Sequence, residues 1–171
     1  MALSKIDAAN FLTGTIPSTN VANASLSSVT ALPAGVGGKV LQVVSTTYST
    51  QTDSSASGYV ATGLTASITP SSTSNKILIL YSLPFRNSNT GTDTIVHSIF
   101  KNGSNLLGSF GAGIFRGDNS AIMVTATANY LDSPNTTSST TYAIFVDPKS
   151  LAVQWNGGSA TASISLLEIA G

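Results

Sequence analysis

The sequence predicts an all-β sandwich or barrel behind an N-terminal extension. Three observations lead there. From residue 39 onward, short runs of strand-forming residues recur at near-even spacing. Clusters of Gly, Pro, Asn, Asp and Ser separate them. No stretch beyond the extension carries a helical period.

In residues 6–26 a large apolar side chain stands at every fifth position: Ile6, Phe11, Ile16, Val21 and Leu26. Five matches neither the 3.6 of a helix nor the 2 of a strand. It suits a chain that turns a corner every few residues, or one that lays successive anchors on another surface. Residues 1–38 therefore read as an attachment arm or short shaft, with a disordered Ser/Thr-rich tail as the other reading. Leu32-Pro33-Ala34-Gly35-Val36-Gly37-Gly38 is the linker. A single domain fills residues 39–171.

The strand runs lie at 39–48, 59–68, 76–85, 93–101, 105–111, 121–131, 140–147, 150–155 and 160–169. Asn102-Gly103 is the strongest hairpin signal, because a type I′ turn needs positive φ at both central residues. Asp147-Pro148-Lys149-Ser150 and Asn156-Gly157-Gly158 read as further turns. Several runs are apolar on both faces: Ile77-Leu78-Ile79-Leu80, Tyr142-Ala143-Ile144-Phe145-Val146, and Leu166-Leu167. A half-buried strand alternates instead. One face fills the core and the other needs a cover. Further copies of the chain supply it most simply, arranged as a closed ring, with Ile79, Phe145 and Leu167 at the contacts. Long loops folded over a tight barrel are the alternative.

Composition restricts the chemistry. The 171 residues include 49 Ser and Thr, and seven basic side chains balance seven acidic ones. Charged residues make up 8% of the chain, against about 25% in soluble proteins generally. No basic field exists to draw in nucleic acid. The chain has no cysteine, hence no disulfide or thiolate metal site. No charged n-region precedes an apolar stretch at the start, so no secretory leader is expected. No run reaches the length of a membrane span, so no membrane insertion is expected.

Candidate catalytic groups are sparse. His97, the only histidine, sits in an apolar strand without a nucleophile elbow, and reads as structural. Asp7, Asp53, Asp93, Asp118, Asp132, Asp147 and Glu168 are scattered, with no calcium-loop spacing and no close pair for glycosidase work. The glycines of 111–117 lack the spacing and the following helix of a phosphate loop. The sequence thus predicts no enzyme, no cofactor and no metal. Arg116-Gly117-Asp118 marks an exposed loop, and Trp155, beside a turn, is the aromatic side chain best placed for a glycan contact. Arg116, Asp118 and Trp155 are the expected surface-recognition residues.

The segment from Gly63 through Thr69-Pro70-Ser71-Ser72-Thr73-Ser74-Asn75-Lys76 to Ile79 resembles one common in the C-terminal heads of bacteriophage fibre proteins, notably of marine and cyanobacterial phages. Lys39–Ser45, Ile164–Gly171 and Leu12-Thr13-Gly14-Thr15-Ile16-Pro17 fit the same pattern. The resemblance implies a homotrimer with a jelly-roll-type antiparallel β-sandwich head. It implies a virion protein, made in the host cytoplasm, whose partners are its own copies, other virion structural proteins held by the arm, and a host-surface glycan or protein. The chain is short for a long tail fibre, which points to a capsid fibre or spike, with a shell-stabilising decoration protein as the alternative and a carbohydrate-binding or glycan-cleaving module as a further one.

Overall fold

The computed structural model describes residues 39–87, 94–116, 123–149, 152–156 and 159–171. The five anchors Ile6, Phe11, Ile16, Val21 and Leu26 lie outside the described residues, as does Asp118. The described residues form eleven strands: β1 Val40–Tyr48, β2 Thr52–Ser54, β3 Val60–Ile68, β4 Lys76–Asn87, β5 Thr94–Lys101, β6 Ser104–Asn105, β7 Gly113–Arg116, β8 Met123–Asp132, β9 Thr140–Asp147, β10 Val153–Trp155 and β11 Ala162–Ile169.

They form two antiparallel sheets. In sheet A, β1 pairs β11, β11 pairs β4, and β4 pairs β8; β10 pairs the far end of β4, and β2 pairs β10. In sheet B the order is β3–β9–β5, with β6 and β7 both on β5. The protein is an all-β antiparallel sandwich, and the chain passes repeatedly from one sheet to the other.

Period-2 alternation builds the core. Sheet A sends in Ile77, Ile79, Tyr81, Leu83 and Phe85 from β4, Ile164 and Leu166 from β11, and Trp155 from β10. Sheet B answers with Leu64, Ala66 and Ile68, with Ile95 and Ile99, and with Tyr142, Ile144 and Val146. Ile79 is wholly enclosed between the sheets. It is a core residue and not a contact between copies, because its β4 parity is the inward one.

Turn chemistry follows the expected residues. Asn102 and Gly103 have φ of 49° and 84°, the two positive values of a type I′ turn, and join β5 to β6. The run 105–111 is not a strand. Asn105 Oδ1 accepts from the backbone of Leu107, and Gly108 and Gly111 take positive φ, so the segment coils instead of extending. In β3 the ladder to β9 slips between Ala61 and Thr65. Gly63 sits in that bulge at φ 86°, and a Cβ there would stand 2.4 Å from Cζ of Tyr48, whose ring occupies the space. Trp155 Nε1 donates to the Thr62 carbonyl at 2.9 Å, satisfying an oxygen next to the bulge.

Candidate functional site

The outward faces of the two sheets differ. Sheet B covers itself. Phe145 stacks on Phe100 with ring centroids 4.0 Å apart, and Tyr59 meets Phe100 edge-on. The coil after β6 closes over β5: Ser98 Oγ donates to Asn105 Oδ1 at 2.6 Å, Ala112 donates its N–H to the His97 carbonyl, and Val96 and Ser98 are buried. Phe145 is therefore half-buried by its own chain. Loops folded over the strands, the alternative weighed from the sequence, account for this face.

Sheet A carries no such cover among the described residues. Register places Leu131 opposite Leu78, Leu78 opposite Leu167, and Leu167 opposite Val43. These four outward side chains form one apolar row across β8, β4, β11 and β1. Val43 is 58% exposed and Leu131 49%. Leu80 adds a fifth exposed side chain on β4, and Val40 and Leu41 extend the patch along β1. The next two rows are small and polar: Asn129, Ser165 and Ser45 flank Leu80, while Thr127, Ser82, Ser163 and Thr47 form the other. Covering a half-exposed Leu or Val contributes about 1 kcal/mol, so the row is a sizeable association surface. Leu167 lies in it. The sequence points to Leu78 only as part of a two-faced apolar run and does not single out Leu131 or Val43, because only strand register sets them side by side.

The buried polar groups hold the sandwich together. Glu168 points inward from β11 and is 1% exposed. Its carboxylate accepts from Asn75 Nδ2, Gln42 Nε2 and the Ser71 N–H at 2.6 Å each, and from Ser71 Oγ at 2.8 Å. Burial opposes its ionisation, but these hydrogen bonds prevail and hold its pKa at about 2. Asp132 takes both Lys101 Nζ hydrogen bonds, at 2.9 and 3.0 Å, and one from the Tyr142 hydroxyl at 2.6 Å. Asp147 accepts from the N–H groups of Gly58 and Lys149 and pairs with the Lys149 ammonium. Asp53 accepts from Gln154. Each of these four carboxylates is taken up by a hydrogen-bonded tie. Among the described residues no group of three His, Asp or Glu is placed to hold a metal.

Among the described residues, Phe85, His97, Ala112, Gly113 and Val124–Thr127 line a cleft of about 280 Å³. His97 is 7% exposed, and its Nδ1 is hydrogen-bonded to the Tyr81 hydroxyl. Burial lowers its pKa, so the ring is neutral at neutral pH. Its nucleophile or carboxylate partners, if the ring were catalytic, are absent from the described lining.

Trp155, expected to meet a glycan, is 0% exposed. Its ring packs in the core and its N–H is spent on Thr62, so it offers no face to a ligand. Arg116 ends β7 opposite Thr94. No protein-family model matches the chain, and no curated protein matches it.

Proposed function

We propose that the protein is a non-enzymatic virion structural protein, a trimeric fibre or spike whose residues 1–38 anchor it to the particle. Its β-sandwich head stands outward for attachment to a host surface. The observation that carries this reading is the uncovered apolar row Leu131–Leu78–Leu167–Val43. A face of that kind on a chain with zero net formal charge favours life inside an assembly. The strand orders support a jelly-roll head: β1–β11–β4–β8 faces β3–β9–β5–β7, and the chain visits them in the sequence that two Greek keys require. The segments that resemble phage fibre heads are those Glu168 ties together, Ser71–Asn75 with β1 and β11. Three copies around an axis bury each row against a neighbour and close the assembly.

The test is particle reconstitution. Virions assembled with the full chain should carry it and adsorb to host cells. Those assembled with residues 1–38 deleted should lack it. Particles that keep the deleted protein, or that lose shell stability but adsorb normally without it, would overturn the reading, the second in favour of a decoration protein.

A further inference from the structure

We infer that the outer edge of β8 pairs with β8 of a second copy, antiparallel, about a two-fold axis at Thr127. The inference stands apart from the virion reading, since it rests on the edge of one strand. Among the described residues β8 pairs with β4 alone, over 10 residues in unbroken register. Proteins ordinarily blunt such an edge. The other described edges are blunted: β2, β6 and β7 have 3, 2 and 4 residues, and the ladders of β3 and β1 slip at Ala61–Thr65 and at Val40–Gln42. Met123–Leu131 has no proline, no charged side chain and no slip.

The backbone groups at this edge follow from Pro84. Successive residues of an antiparallel strand direct N–H and C=O to alternate sides. The Pro84 carbonyl accepts from the Asn156 N–H at 3.0 Å, so Pro84 faces β10 and turns away from β8. Its neighbours Leu83 and Phe85 therefore bond to β8, through Ala126 and Val124. The alternate residues of β8, with Thr127 at their centre, direct their N–H and C=O to the outer edge.

About Thr127 the strand reads nearly alike from either end. Ala126 answers Ala128, and Thr125 answers Asn129. Val124 answers Tyr130, and Met123 answers Leu131. A two-fold at Thr127 sets each of these against its counterpart in the second copy. Small side chains then meet small ones, polar meet polar, and a β-branched one meets an aromatic one. Met123, 58% exposed, covers Leu131 of the other copy. Each edge N–H faces an edge C=O. Sliding the pair by two residues either way sets Leu131 against Thr125, or Met123 against Asn129. The side-chain match is thus self-complementary, which names a second β8 as the occupant. A single strand edge buries less than a standard interface, so the contact is weak in dilute solution and fills where copies are crowded.

The chain has no cysteine, so single cysteines report the register without background. Thr125→Cys, Thr127→Cys and Asn129→Cys, all at exposed positions, are treated with a short bismaleimide at about 1 mM protein, the range of a weak contact. Ser104→Cys, on the exposed hairpin, is the control. Thr127→Cys should yield a denatured species of about 35 kDa, twice 17.3 kDa, while Ser104→Cys stays at 17.3 kDa. Thr125→Cys and Asn129→Cys should each stay single alone, because like positions lie about 14 Å apart, and should link when mixed. Thr127→Lys in both chains sets ammonium against ammonium and should abolish that mixed link. Trp155 fluorescence checks that each variant is folded. No 35 kDa species from folded Thr127→Cys overturns the proposal. So does self-linking of Thr125→Cys or Asn129→Cys, or a mixed link that survives Thr127→Lys.

Discussion

Glu168 Oε1 accepts a 2.6 Å hydrogen bond from Asn75 Nδ2, 93 positions apart in the chain. With Gln42 and Ser71 as further donors, this buried carboxylate joins β1, β11 and the connection from β3 to β4. Its folded pKa of about 2 lies below the ordinary 4.5, so the unfolded chain binds the proton more readily. The stabilisation is complete above pH 4.5 and is lost as the pH falls toward 2. A depression of that size corresponds to about 3 kcal/mol. Denaturant unfolding between pH 6 and pH 2 should show the loss. Glu168→Gln should be less stable at pH 6 by a similar amount, since its amide sets donors against donors, and should flatten the pH dependence.

His97 loses stability in the same direction, but at higher pH. Burial lowers its pKa, so its contribution is present above the unfolded value of 6.5 and declines as the pH falls below it. The ring's Cε1 proton should titrate in NMR with a midpoint below 6.5. Tyr81→Phe removes the Nδ1 partner, and should cost about 1 kcal/mol in thermal unfolding.

Two glycines of similar φ should respond differently to alanine. Gly63 at 86° has the Tyr48 ring where a Cβ would stand, while Gly103 at 84° has nothing within 4 Å. Gly103→Ala should cost about 1 kcal/mol, the strain of a positive φ alone. Gly63→Ala should cost about 2 kcal/mol or more, because Tyr48 must move as well. Equal losses in chemical denaturation would refute the part given to Tyr48.

Trp155 is the single tryptophan, so fluorescence reports on it alone. Its emission should lie at the short wavelengths of a dry site, and added sugars should leave it unchanged. Trp155→Phe should destabilise the fold by about 2 kcal/mol, through the lost bond to Thr62 and the space left behind.

Strands were legible wherever side chains alternate or the turn residue is decisive. Eight of the nine runs found from the sequence meet a strand of their own, and Asn102-Gly103 adopts the expected turn. The run 105–111 was misleading, because an Asn105 side-chain bond and two left-handed glycines outweigh its Leu106-Leu107 pair. The short β2 left no signal, being three residues without an apolar pattern. Parity separated Ile79 from Leu80 only once the inward face was known. Trp155 looked exposed beside its turn, yet the carbonyl of a bulge ninety-three residues earlier claims its N–H. The apolar row and the Glu168 clamp both depend on long-range register, which one sequence does not state.

The mass of the full chain in solution tests the account most directly, with wild type and Leu167→Asp compared by sedimentation equilibrium at neutral pH. The account predicts a wild-type species of about 52 kDa, three times 17.3 kDa, and dissociation of the folded variant toward 17.3 kDa. A wild-type monomer of 17.3 kDa, with Leu131, Leu167 and Val43 left in water, would contradict it.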